Sequence, residues 1–256
     1  MNSIIENNQD LTVAVKNGDI SAVKTFLKNG HKSPIGMDRD IHEGVDVNTS
    51  TGYPQKTAVK LTSFMPAEYG KVLAMLAETE KGHLLGNTAL IVASEKGYTD
   101  IVKLLLDSGA NVNRQGFMLK TPLMYACEKG NLEVAKLLLE YRADIDLQSY
   151  DENTALIMAI SGSIDNIEEN GNKEIVELLL KQGANANLQN EDRYTALLIA
   201  VSSGNKEIVQ LLLENGADIN IKNIDGKTAL SLAEERNYSE IIDSLKKYLP
   251  KRRLEL

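Results

Sequence analysis

A short string of residues returns along this chain at a fixed interval, and no other feature narrows the fold as much. It reads Thr88-Ala89-Leu90-Ile91-Val92-Ala93, then Thr121-Pro122-Leu123-Met124-Tyr125-Ala126, and begins again at Thr154, Thr195 and Thr228. The intervals between these threonines are 33, 33, 41 and 33, the 41 being one period with an insertion of eight. A second string follows the first: Ile101-Val102-Lys103-Leu104-Leu105-Leu106, then Val134 to Leu139, Ile175 to Leu180 and Ile208 to Leu213. A Gly-Ala step and an asparagine-rich stretch close the unit, as in Gly109-Ala110-Asn111-Val112-Asn113, Gly183-Ala184-Asn185-Ala186-Asn187 and Gly216-Ala217-Asp218-Ile219-Asn220. A period of this length marks a repeat architecture. Each unit then packs only on its neighbours, so the size limit of a single core does not apply.

The chemistry of one unit predicts two short helices. Threonine opens the first, its hydroxyl able to accept from free backbone N–H groups. Leucine and alanine then fall at i and i+3, keeping one face slim for packing. Gly97, Gly130, Gly171 and Gly204 end that helix. The second helix carries the leucine block, apolar over a wide arc, and Gly109, Gly183 and Gly216 end it. The asparagine-rich stretch up to the next threonine is turn chemistry. Helices this short cannot bury both faces alone. Stacking encloses leucine on leucine, at roughly 1.5–3 kcal/mol per side chain.

A unit of about 33 residues with Thr-Pro-Leu-x-x-Ala, a glycine midway and Leu-Leu-Leu-x-x-Gly-Ala-Asp-x-Asn resembles the ankyrin repeat. Five such units stand over residues 83–249. The histidine usual in Thr-Pro-Leu-His is missing from every copy, and proline survives only at Pro122. The resemblance implies an all-α solenoid of stacked helix-turn-helix units with β-hairpin or loop connections. It also sets an expected organisation of about seven repeats in one domain over 1–256. Residues 1–56 would hold an N-terminal capping repeat with a long insertion, and 57–82 a divergent second repeat. Residues 83–222 would hold four regular repeats, and 223–256 a C-terminal cap and tail. In that last unit Asp243, Lys246 and Lys247 stand where inner repeats are apolar or neutral, as an exposed end requires.

Charge and cysteine usage bound the function. The net charge is −8 and the sequence pI about 5.1. Such a chain repels a phosphate backbone, so no nucleic-acid partner is expected. The one dense cationic run, Lys246, Lys247, Lys251, Arg252 and Arg253, reads as the solvated end of a helix, where cations suit the dipole. The single cysteine, Cys127, rules out an internal disulfide and fits a reducing compartment. The N-terminal residues lack a basic n-region and an apolar h-region. No apolar run reaches the roughly 18 residues of a membrane span. The expectation is a cytoplasmic monomer with no membrane partner, with specialised export left open.

Catalytic patterns are scarce. There is no Gly-x-Ser-x-Gly, no His-Glu-x-x-His and no Gly-Lys-Ser/Thr phosphate loop. In the 31–56 insertion, His31, Asp38, Asp40, His42 and Glu43 could in principle converge on a cation, which would make a metal-assisted hydrolase the alternative from the enzyme class. That spacing matches no established ligand pattern. Cys127 reads as a small buried residue, and Glu168-Glu169 as a solvated loop within the 162–170 insertion. The chain is expected not to be an enzyme and to hold no cofactor and no metal.

What remains is binding. The resemblance implies a partner surface of hairpin tips and first-helix flanks. Counted back from each threonine, the tip positions expected to bind are Leu84 and Leu85, Phe117, Met118 and Lys120, Tyr150, Asp151 and Asn153, Glu191, Asp192 and Tyr194, and Ile224. The flank adds Glu95, Lys96, Glu128, Lys129, Ser202, Ser203, Glu235 and Arg236. Loop tips are normally polar, yet these carry Leu, Phe, Met, Tyr and Ile, the residue types of hot-spot anchors. Packing of neighbouring tips along the ridge is the competing reading. The expected function is a scaffold that binds a partner protein, the roles open to it being a regulator, an inhibitor or an exported effector acting on a host protein.

Overall fold

The computed structural model describes residues 13–28, 87–162 and 172–248. A one-turn helix at 13–16 precedes α1 (Ile20–Lys28). The helices that follow are α2 (Ala89–Lys96), α3 (Thr99–Asp107), α4 (Pro122–Glu128), α5 (Leu132–Glu140), α6 (Ala155–Gly162) and α7 (Lys173–Lys181). Then come α8 (Ala196–Ser202), α9 (Lys206–Glu214), α10 (Ala229–Glu235) and α11 (Ser239–Tyr248). Among the described residues there is no strand.

The chain forms two compact units. One comprises Met1–Ala126 with Glu133–Ala143, the other Cys127–Leu132 with Asp144–Leu256. In the second unit the first helices α6, α8 and α10 pack on one another in order, and so do the second helices α7, α9 and α11. That is the nearest-neighbour stack the period predicts. Its inner layer is built by register. Leu179, Leu212 and Leu245 occupy one position in successive repeats and are all fully buried, as are Leu105 and Leu138 at the same position in the first unit.

Threonine caps each of these first helices. The N–H groups of Ile91, Met124, Ile157, Leu198 and Ser231 donate to the hydroxyls of Thr88, Thr121, Thr154, Thr195 and Thr228 at 3.2–3.3 Å. Each satisfies a donor that the helix start leaves free. At Thr228 the cap is reciprocal, because Ser231 Oγ accepts from the Thr228 N–H at 2.8 Å, the arrangement of a capping box. Pro122 starts α4 at the position where its missing N–H costs nothing.

The asparagine-rich segment works twice over. Its first Asx caps its own turn: the N–H of Asn113, Asp146, Asn187 and Asn220 donates to the side chain two residues back. In the second unit its second Asx reaches the next repeat. Asp146 Oδ1 accepts from the Asn185 N–H at 3.0 Å, and Asn187 Oδ1 from the Asp218 N–H at 2.8 Å. An Asx-x-Asx pattern therefore locks one loop and ties it to the following one.

The unit expected at 57–82 and the 31–56 insertion lie outside the described residues. In the first unit α1 packs directly on α3, and the Tyr98 ring lies against Gly18 as the Tyr238 ring lies against Gly204 in the second. Ile20–Lys28 and Thr99–Asp107 are therefore neighbouring second helices. At the other end Asp243, Lys246 and Lys247 are all exposed, as a terminal repeat needs.

One substitution follows from the period. Second helices end on Gly109, Gly183 and Gly216 in the left-handed region, with φ between +83° and +88°, but the equivalent residue after α5 is Arg142 at φ +62°. A side chain there costs about 1–2 kcal/mol, partly offset by its smaller loss of chain entropy. Arg142→Gly is expected to raise stability by about 0.5–1 kcal/mol, read as a higher urea midpoint at unchanged slope.

Candidate interaction surface at the repeat tips

Each tip is a tight turn closed by a backbone bond. Gly116, Ser149, Asn190 and Asn223 donate to the carbonyls of Lys120, Asn153, Tyr194 and Lys227, all at 3.0 Å. The residue before each acceptor is left-handed: Leu119, Glu152, Arg193 and Gly226 have φ of +55°, +58°, +60° and +75°. Side chains complete the turn in the second unit. Ser149 Oγ, Asn190 Oδ1 and Asn223 Oδ1 accept the N–H groups of Asn153, Tyr194 and Lys227 at 2.8–3.1 Å.

Successive tips of that unit are tied together. The Glu191 N–H donates to the Asp151 carbonyl at 3.2 Å, and the Ile224 N–H to the Asp192 carbonyl at 3.1 Å. Gln148 Nε2 bridges the carbonyls of Glu152 (2.8 Å) and Gln189 (3.0 Å). One repeat on, Gln189 Nε2 bridges those of Arg193 (2.6 Å) and Lys222 (3.0 Å). Asn190 Nδ2 donates to Asn153 Oδ1 at 3.1 Å. Sequence reasoning misses these glutamines, although their recurrence one repeat apart is an available signal.

The tip side chains divide by exposure. In the second unit Tyr150 is 41% exposed and Ile224 64%, two of the four large hydrophobic residues exposed among the described residues. Glu191 and Asp192 are exposed, while Asp151, Asn153 and Tyr194 are half-buried. In the first unit Phe117 and Lys120 are half-buried. Lys120 Nζ lies 5.4 Å from the centre of the Tyr125 ring, within cation–π range. Met118 departs from expectation. It is only 8% exposed, because φ of +57° turns its side chain inward where the aspartates at the equivalent positions face outward or half outward. Leu84 and Leu85 lie outside the described residues. Of the flank, Lys96, Lys129, Ser203, Glu235 and Arg236 are exposed.

Charge on the second unit's tips is lopsided. Asp151, Glu152, Glu191, Asp192 and Asp225 face two cations, Arg193 and Lys227. Lys227 is already engaged, its Nζ 2.6 Å from Glu235 Oε2, which raises the ammonium pKa and lowers that of the carboxyl. On the second helices, Lys173 pairs with Glu207 at 3.3 Å and Lys206 with Glu240 at 2.8 Å. Exposed pairs of this kind are screened by water and contribute little to stability.

The chemistry of catalysis is thin here. Cys127 is fully buried, and burial pushes its thiol far above the range where a thiolate forms. Among the described residues no group of three metal-ligating side chains comes together, and no helix is long and apolar enough to cross a membrane. His31, Asp38, Asp40, His42 and Glu43, and likewise Glu168-Glu169, lie outside the described residues.

A comparison with curated proteins found no match. The family model for ankyrin repeats matches three times in succession, over residues 11–116, 116–169 and 167–251. With the threonine-capped helix pairs and the stacked packing, that match spans nearly the whole sequence: the chain belongs to the ankyrin-repeat family.

Proposed function

We propose that this chain is a protein-interaction scaffold, a regulator or inhibitor that grips one partner protein through its repeat tips. Ankyrin repeats generally mediate protein–protein interaction, and the family is typically non-enzymatic. The observation that carries the reading is the exposure of Tyr150 and Ile224 on turns whose main chains are hydrogen-bonded in register. Folding gains nothing from an exposed isoleucine, whereas a partner gains a rigid apolar anchor that loses little entropy on binding. Met118, buried, is not one of those anchors. Within the second unit the surface comprises Tyr150, Asp151, Asn153, Glu191, Asp192, Tyr194 and Ile224. Phe117 and Lys120 are its counterparts on the first.

Affinity purification from the native cell tests this. Tyr150→Ala with Ile224→Ala is expected to lose the partner that the unchanged chain retains, at a melting temperature within about 4 °C, since two exposed substitutions usually cost under about 1 kcal/mol together. Undiminished capture by that variant would overturn the site assignment.

A further inference from the structure

We infer that the tips of the second unit receive an extended, basic segment of the partner protein, with a lysine or arginine at every third position and apolar groups between. This rests on the reading of the tips as a protein-binding surface. The apolar part of the surface is Tyr150 and Ile224, both exposed, with Tyr194 half-exposed. The charge around it selects the occupant. Five carboxylates stand against Arg193 and an already paired Lys227. An anionic lipid headgroup or nucleic-acid backbone is repelled, and a basic peptide is attracted.

Spacing sharpens the choice. Asp151, Asp192 and Asp225 occupy one position in successive repeats, beside Tyr150, Glu191 and Ile224 at the position before. The backbone bond from the Glu191 N–H to the Asp151 carbonyl, and that from the Ile224 N–H to the Asp192 carbonyl, set the step between them. The first helices α6, α8 and α10 pack side by side in the same order, and packed helices lie about 8–10 Å apart. Residues at one position of successive repeats, the aspartates among them, therefore recur at about that step. A polyproline II segment rises about 3.1 Å per residue with three residues per turn, so every third side chain points the same way about 9 Å apart. A cation at i, i+3 and i+6 then meets Asp151, Asp192 and Asp225 in turn. The side chains between them lean on Tyr150 and Ile224. A helical ligand presents same-face residues about 6 Å apart at i+4 or about 10.5 Å apart at i+7, on either side of that step.

The test uses the full chain and two fluorescent peptides of identical composition. One repeats Lys-Pro-Leu with lysine at every third position, and the other groups its lysines at one end. Anisotropy at low salt is expected to give at least fivefold tighter binding of the spaced peptide. Asp151→Asn with Asp192→Asn should weaken that binding about tenfold and flatten its dependence on salt. Equal affinity for the two peptides, or binding of the spaced one unchanged in the double variant, overturns the inference. The broader reading has its own arm. If Asp151→Asn with Asp192→Asn leaves the cellular partner bound while Tyr150→Ala with Ile224→Ala releases it, the tips bind a protein but not a basic segment. If neither variant releases it, the tip surface itself is wrong.

Discussion

Leu212→Ala is expected to destabilise the second unit by about 3–4 kcal/mol, the cost seen when a fully enclosed leucine is cut to alanine and the cavity stays open. Leu212 lies on α9, between α7 and α11, and is fully buried. Besides α7 and α11, α9 packs on α8 of its own repeat, so a void at this register loosens the stack on both sides of the repeat. In a stack whose stability is a sum of intrinsic and nearest-neighbour contributions, weakening two adjacent interfaces also threatens cooperativity. Urea unfolding should therefore show a lower midpoint and a broader transition. The control is Leu211→Ala in the same helix, where the side chain is half-buried and a loss of about 1 kcal/mol is expected. A loss at Leu212 no greater than at Leu211 would mean that the layer collapses around the smaller side chain, and that packing in this layer is not what holds the stack together.

Those leucines are readable without coordinates, because a side chain that recurs at one register of a repeat has to face the same way in each copy. The same logic exposes the threonine caps, whose chemistry is local: a hydroxyl three residues before a free N–H suffices. The Asx-x-Asx segments are legible only as turns. Their second role, joining one repeat to the next through Asp146 and Asn187, depends on distances that a single unit does not contain.

Neighbours in the stack are harder still. The step from Gly18 to Gly97 is 79, which is two periods plus 13 or one period plus 46. Composition cannot choose between these sums, whereas the Tyr98 ring against Gly18 identifies α3 as the partner of α1. The tips show the limit most sharply. Met118 reads as one more apolar residue on a turn, but its φ of +57°, not shared by Asp151, Asp192 or Asp225 at the same position, goes with a buried side chain. Nothing in the residue types Phe117-Met118-Leu119 announces two successive left-handed residues, where the other tips have one. The period records only what the copies share, and these local departures are not part of it.

Gly162→Ala is the second large effect, and its sign is the informative part. Gly162 ends α6, and alanine in a helix is ordinarily favoured over glycine by up to about 1 kcal/mol. Here a Cβ would overlap the carbonyl oxygen of Glu128, the last residue of α4, and would sit 3.0 Å from its carbonyl carbon. The obstacle is backbone, which cannot swing aside as a side-chain end would. The two helix ends must therefore separate, at a cost of about 2–3 kcal/mol that outweighs the helix preference. The equivalent residue in the next repeat is Ser203, which is exposed and already carries a side chain, so the close approach does not recur there. Gly162 is the first residue of the 162–170 stretch, in which this repeat carries its extra length. Circular dichroism under urea is expected to show the loss for Gly162→Ala and little change for Ser203→Ala. A gain at Gly162 would mean that helix preference governs this position and that α6 does not rest on the end of α4.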